Sequence, residues 1–243
     1  MLCASGCLVA VLAGADRVGD RLAGFAERRD QAFVIALQRP FPREPKDNPA
    51  DRVSRTPEWR RWAIPRVQKA LIDLYQERDA AAASQLIQET AETLRRHPAR
   101  FMAGPSALYW EGILFTRVHG LFGAEGLRRS GRLSIAAEQA LADLLWDWCD
   151  ATSRISLADP RRVWEHQGTE NHVAMRLATV WAATWILSRD PRYQARQLAD
   201  GATPAAHHHA WNLFAKAWIR EHGQRGLLVE VAAPGYSADT LQC

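Results

Sequence analysis

Lysine, cysteine and long apolar runs are all scarce in this chain of 243 residues. Lysine occurs only at positions 46, 69 and 216, so arginine supplies nearly all of the 31 basic side chains behind a net charge of +4. Arginine binds carboxylate and phosphate groups through its fork of donors. Because these arginines are scattered in pairs rather than gathered in one patch, we expect an acidic ligand and no nucleic acid partner. No segment reaches the roughly 18 apolar residues of a membrane span, so none is expected.

The four cysteines, at positions 3, 7, 149 and 243, form no Cys-x-x-Cys pair and no grouping with histidine. The sequence therefore predicts neither a zinc site nor a disulfide framework. Three consecutive histidines, His207 to His209, do not change this, because neighbouring residues of a helix point about 100° apart and cannot all face one ion. The chain also lacks a Gly-x-Ser-x-Gly elbow and a phosphate-binding glycine loop, so we predict no nucleotide, metal or other cofactor.

The first 64 residues are predicted to lie outside the main domain. Met1 to Ala15 contains a short apolar stretch with no positive charge before it, which fits a weak secretory signal or the start of an ordinary helix. A signal would place the protein in the periplasm or outside the cell, whereas an ordinary helix would leave it in the cytoplasm. From Gln38 to Arg66 the chain is rich in proline, arginine and aspartate, and this composition predicts an extended arm.

Residues 65–243 have the pattern of one all-α domain. Apolar residues recur at helical spacing between proline, serine and glycine boundaries, with Ser134 as one N-cap. The predicted helices cover residues 65–78, 80–96, 106–122, 134–149, 171–188 and 203–222, and only 227–231 resembles a strand. Helices of this length with short connections favour stacked helical hairpins that form an α/α toroid, whose central cleft is lined by helix ends and loops.

One segment concentrates polar groups directly before a helix. From Trp164 to His172 the sequence is Trp-Glu-His-Gln-Gly-Thr-Glu-Asn-His, which places four acid–base groups and two amides around a glycine. The start of a helix has free backbone N–H groups and favours negative charge. The segment therefore predicts a binding site at the mouth of the helix that follows.

This segment, from Glu165 to His172 and followed by Arg176, resembles the Gly-Ser/Thr-Glu-Asn-His signature of bacterial α/α-toroid polysaccharide lyases. The later Pro-Gly-Tyr-Ser sequence around Tyr236 also resembles a loop that carries a tyrosine in those enzymes. The resemblance covers about Trp110 to the C-terminus. It implies β-elimination at a uronic acid unit of an acidic polysaccharide such as alginate or glucuronan. That chemistry removes a proton beside a carboxylate, whose charge nearby donors must offset.

The resemblance also implies roles for individual residues. Tyr236 would be the proton shuttle, with His172 as the alternative base. Asn171 and His172 would bind or neutralise the substrate carboxylate, and Glu165 would donate a hydrogen bond to it if burial raised the Glu165 pKa. The other expected substrate contacts are Glu170, His166, a positive charge from Arg176 or Arg225, and sugar stacking by Trp110 and Trp164.

Purely structural roles compete with several of these assignments. Asn171 is also a suitable helix cap, and His172 would then satisfy only a backbone carbonyl. Tyr236 follows a Pro-Gly turn, where side-chain packing is the alternative role. Core packing is likewise the alternative for Trp110 and Trp164.

A closed toroid takes about 300 residues or more at ordinary helix and loop lengths, so an incomplete ring is also expected as an alternative. Such a ring would expose apolar faces that oligomerisation would cover. Two other function classes stay open. One is a non-catalytic glycan-binding or scaffold protein. The other is a glycoside hydrolase of the toroid type, with paired carboxylates from Glu165 and Glu170 or from Glu111 and Asp239.

Overall fold

The computed structural model describes residues 24–45, 56–97, 109–126, 132–165 and 170–224. In these ranges the chain is all-helical and forms no strand, which confirms the predicted fold class. The helices are α1 (24–38), α2 (Thr56–Tyr75), α3 (Ala80–Arg96), α4 (Tyr109–Phe122), α5 (Ile135–Thr152), α6 (Glu170–Arg189) and α7 (Pro204–Gln224), with short 3-10 turns at Ile155–Leu157 and Pro160–Arg162. The predicted strand at 227–231 lies outside the described residues.

The chain divides into two compact units, Met1–Phe41 and Pro42–Cys243. The first unit contains α1, whose Phe25, Val34 and Ile35 side chains are exposed. The second contains α2 to α7. None of the described helices combines the length and the apolar character that crossing a bilayer requires.

The predicted extended arm is wrong over its last part, because α2 begins at Thr56 and continues through Pro65. Proline inside a helix costs about 3 kcal/mol or more. That cost is offset by packing, since Trp59 and Trp62 on this helix are almost completely buried and meet edge to face, with ring centroids 5.6 Å apart. Fully burying one large apolar side chain contributes roughly 1.5–3 kcal/mol. The helical domain therefore starts before Pro65.

In the second unit α2 packs with α3 and α6 packs with α7, whereas α5 packs more extensively with α6 than with α4. In one layer α2 contacts α4 and α4 contacts α6, whereas α3 contacts α5 in the other. The helices α3 and α5 run parallel, because Ser84 bonds the start of α5 at Ser134 and Arg95 bonds Asp147 further along. This stack of hairpins is compatible with an arc of an α/α toroid, and closure into a ring stays a prediction.

One carboxylate of α5, that of Asp143, connects the two layers of helices. Asp143 accepts hydrogen bonds from Arg95 on α3 at 3.0 Å, from Arg192 at 2.7 Å and from the Tyr193 hydroxyl at 2.6 Å. Arg192 and Tyr193 belong to the turn that follows α6. The predicted N-cap of α5 is confirmed, since the Ser134 hydroxyl accepts from the Ala137 N–H at 3.2 Å. The start and the middle of α5 are thus both fixed by polar contacts.

A glycine allows α4 and α6 to approach each other closely. A Cβ atom placed on Gly112 of α4 would lie 2.4 Å from Cγ2 of Thr179 on α6, far inside van der Waals contact. Further along the two helices, His119 and Trp185 line the same cleft. The two helices therefore run parallel, with their N-terminal ends on one side of the domain.

A buried chain of hydrogen bonds attaches the end of α5 to α7. Trp211 Nε1 donates to Ser153 Oγ at 3.0 Å, Ser153 Oγ lies 2.8 Å from His207 Nδ1, and His207 Nε2 lies 2.8 Å from Asp200. The Ile155 N–H donates to the other oxygen of Asp200 at 2.9 Å. Both ring nitrogens of His207 are therefore engaged, one with Ser153 and one with Asp200. Burial raises the pKa of Asp200, but the bonds from Ile155, His207 and Ala202 together lower it below its usual range.

Replacing Gly112 by alanine should destabilise the domain, because the added methyl group would overlap Thr179. Overpacking of this kind typically costs about 1–3 kcal/mol. Gly120 on the same helix is the matched control, since nothing lies within 4 Å of a Cβ placed there. Gly120→Ala should instead stabilise by roughly 0.5–1 kcal/mol through helix propensity. Thermal unfolding of both variants checks the opposite signs, and equal effects would contradict the close approach of α4 and α6.

Replacing His207 by alanine should lower the free energy of unfolding by about 1–3 kcal/mol, because Ser153 and Asp200 would each lose a partner. His209 is the matched control, since it belongs to the same triplet and is exposed. His209→Ala should change stability by no more than about 0.5 kcal/mol. Urea denaturation of both variants makes the comparison. Equal losses would show that the hydrogen-bond chain contributes nothing to stability.

Candidate functional site

The polar segment predicted as a site leads into α6, which begins at Glu170. Glu170, Asn171 and His172 therefore form its first turn, where free N–H groups favour an anion. The structure describes the backbone of these three residues but not their side chains, and the same holds for Trp110 on α4. His166, Arg225 and Tyr236 lie outside the described residues, as does Asp239.

The proposed proton-donor role of Glu165 is not supported by its surroundings. Its side chain is 59% exposed and forms a short ion pair with Arg162. The hydrogen bond from Arg162 lowers the pKa of Glu165, whereas the role required burial to raise that pKa. Glu165 is therefore an ionised surface carboxylate. Trp164, the predicted stacking residue beside it, is 38% exposed and so remains accessible to a ligand.

Arg176 is the predicted substrate-binding cation that the structure describes. It lies on α6 just beyond His172 and is partly buried. Among the described residues its guanidinium makes no hydrogen bond and no ion pair. Desolvation by burial lowers the pKa of Arg176, and no carboxylate of the described residues opposes this shift. A partly desolvated cation that has no anion among the described residues is costly to maintain.

The close approach of α4 and α6 brings other predicted residues to the same end of the domain. Gly112 of α4 contacts Thr179 of α6, and the two helices are parallel. Tyr109 and Arg176 are each three positions earlier on their helices, so they lie at about the same height along the common helix direction. Trp110 therefore belongs to the same helix end as Arg176. Glu111, the carboxylate considered for hydrolysis, is on this part of α4 and is 1% exposed.

The Ser153, His207 and Asp200 chain has the composition of a nucleophilic triad but not its accessibility. Ser153 is 1% exposed and His207 is completely buried. The serine oxygen is already bonded to both Trp211 and His207. A catalytic serine must reach a substrate carbonyl, so this cluster has a structural role. Cys149 is buried as predicted, and burial raises the pKa of its thiol well above the usual range.

A second polar concentration, which the sequence did not predict, lies at the opposite end of α4 and α6. It is a cleft of about 350 Å³, with His119, Glu138, Trp185 and Arg189 among its lining residues. These residues come from three helices, and none of them belongs to a recognisable sequence motif. The glycine-rich turn after Phe122 was the one sequence feature that lies beside this cleft. Within the described ranges, no group of three or more His, Cys, Asp or Glu side chains could hold a metal ion.

Comparisons with models of protein families, with curated proteins and with solved structures found no match to this chain.

Proposed function

We propose that the protein binds a uronic-acid-containing polysaccharide at the N-terminal end of α6 and cleaves it by β-elimination. The observation that carries this proposal is Arg176, a partly buried cation without a hydrogen bond or ion pair among the described residues. A uronate carboxylate would supply the missing anion. The first turn of α6, with Glu170, Asn171 and His172, lies on the same helix just before Arg176, and its free N–H groups favour the same charge.

The reaction needs an acidified carbon–hydrogen bond and a departing glycosidic oxygen. A base removes the proton from the carbon that carries the carboxylate, and the electron pair is delocalised into that carboxylate. Arg176 and Asn171 would stabilise the charge that develops there. The electron pair then forms the new carbon–carbon double bond while the glycosidic bond breaks, and the leaving oxygen takes up a proton. Tyr236 is proposed as the group that moves both protons, with His172 as the alternative base.

The state of Glu165 changes one detail of this mechanism. As an ionised surface carboxylate paired with Arg162, it cannot donate a hydrogen bond to the substrate carboxylate. The neutralisation of substrate charge therefore rests on Arg176, Asn171 and the helix N-terminus. Trp110 and Trp164 are proposed to contact sugar rings on either side of the cleaved unit, since both belong to this end of the domain or to the segment leading into it.

Incubating the protein with alginate, glucuronan and a neutral glucan tests the reaction class. Elimination leaves an unsaturated product that absorbs in the ultraviolet, whereas hydrolysis yields reducing ends without that absorbance. We expect absorbance to rise with an acidic polymer only, and His172→Ala and Tyr236→Phe each to reduce the rate by about 100-fold or more. New reducing ends without absorbance would indicate a hydrolase, and binding without cleavage would indicate a glycan-binding protein.

Replacing Arg176 by methionine should have opposite effects on stability and activity. Removing a desolvated charge that has no partner among the described residues should raise the free energy of unfolding by about 1 kcal/mol. The same change should lower kcat/KM by about 30-fold or more, because the substrate carboxylate loses its counter-charge. Arg176→Lys, which keeps the charge, should retain more activity than the methionine variant. A methionine variant that is less stable and fully active would contradict the role of Arg176.

A further inference from the structure

The cleft at the C-terminal ends of α4 and α6 has the dimensions of a small-molecule site. Its volume is about 350 Å³, and its walls come from both of these helix ends, the first turns of α5 and the loop after α4. Trp185, Ile186 and Ile135 supply apolar surface, and a few polar groups converge on it. A largely apolar cleft with a small number of placed polar groups is the usual form of a ligand site.

Two side chains in this cleft keep unused hydrogen-bonding capacity. Glu138 Oε1 accepts from the Ala124 N–H at 2.6 Å, whereas its other oxygen makes no hydrogen bond among the described residues. Burial raises the pKa of Glu138, with the charges of Asp190 and Glu125 adding to the effect and the Ala124 N–H opposing it. The His119 imidazole bonds its own backbone and has no side-chain partner in the described part of the chain. Burial lowers the pKa of His119, although Asp190 and Glu125 oppose the shift.

The two arginines of the cleft differ in their partners. Arg192 is fully engaged, since it bonds both oxygens of Asp190 and one oxygen of Asp143. Arg189 lies over the Trp185 ring, 4.2 Å from its centroid, and within the described residues has no carboxylate partner. It therefore presents a positive charge beside an aromatic wall. The carboxyl groups of Glu138 and Glu125 also line the cleft.

We propose that this cleft binds a sugar acid, that is, a hydroxylated ring with a single carboxylate. The ligand carboxylate would pair with Arg189, whose fork of donors matches it. Ring hydroxyls would donate to the free oxygen of Glu138 and exchange hydrogen bonds with His119, which can both donate and accept when neutral. The carbon face of the ring would pack against Trp185 and Ile186. A phosphate dianion suits the cleft less well, because Glu138 and Glu125 would repel its greater charge.

This cleft is distinct from the site of the proposed elimination. His172 and Arg189 are seventeen positions apart on α6, which corresponds to about 25 Å along the helix axis. The proposal goes beyond the proposed function and does not need it to be correct. A sugar acid has two sources, a free monosaccharide or the terminal unit of an acidic polysaccharide, and both offer the same carboxylate and hydroxyls.

Calorimetric titration of the full chain with glucuronate, glucose and a glucuronate disaccharide tests the proposal. We expect glucuronate to bind about tenfold or more tightly than glucose, since the Arg189 contact needs the carboxylate. A disaccharide that binds more tightly than the monosaccharide would identify a chain end as the ligand, and equal affinities would identify the free acid. Absence of binding by all three, or equal affinity for glucose and glucuronate, would overturn the proposal.

Variants separate this cleft from the rest of the surface. Arg189→Met keeps the aliphatic stem over Trp185 but removes the charge, so it should weaken glucuronate binding about tenfold and leave glucose binding unchanged. Glu138→Gln keeps an oxygen for the Ala124 N–H and should weaken binding of both sugars. Arg161→Met is the matched control, because Arg161 is 88% exposed and outside the cleft. Circular dichroism verifies that each variant is folded. Unchanged glucuronate affinity in Arg189→Met would also overturn the proposal.

Discussion

The close approach of α4 and α6 at Gly112 is the constraint on which the functional architecture depends. Because Gly112 has no side chain, the backbone of α4 can lie close to the Thr179 side chain of α6. The two helices run parallel. Parallel helices bring their N-terminal ends together on one side and their C-terminal ends together on the other. The Arg176 end and the cleft around Glu138 are therefore the two ends of one packed pair, and neither could form if α4 were shifted along α6.

Charge pairing distinguishes the structural parts of this domain from its candidate sites. Arg95 bridges Asp143 and Asp147 on α5, and Arg192 bridges Asp190 and Asp143, so these arginines hold helices and a turn together. In the described structure Arg176 and Arg189 lack such carboxylates although both belong to the same helix. Folding gains nothing from leaving a cation partly desolvated and unpaired. Arg189 is exposed, so this argument for a ligand applies only to Arg176, which has no partner among the described residues.

The sequence was sufficient for elements governed by local rules and insufficient where packing overrides them. Helical periodicity predicted α3 to α7 closely, and the Ser134 cap is present because its hydroxyl satisfies an N–H group at the start of α5. The extended arm predicted for the proline-rich segment before Arg66 was wrong over its last part. Burial of Trp59 and Trp62 outweighs the cost of Pro65 within α2. The cleft was not predictable because His119, Glu138 and Arg189 are distant in sequence, and only the parallel packing of helices brings them together.

The environments of Glu165 and Arg176 also bear on which chemistry is the better hypothesis. Inverting or retaining hydrolysis by Glu165 and Glu170 would need one carboxyl group held protonated. Glu165 is exposed and its bond with Arg162 keeps it ionised, so in such a pair it could serve only as the ionised carboxylate. Elimination requires instead that the substrate carboxylate be neutralised before its neighbouring proton is removed. Arg176, partly buried just beyond the first turn of α6, would supply that positive charge without any protonated acid, and this is the reason that we propose elimination at this end of the domain.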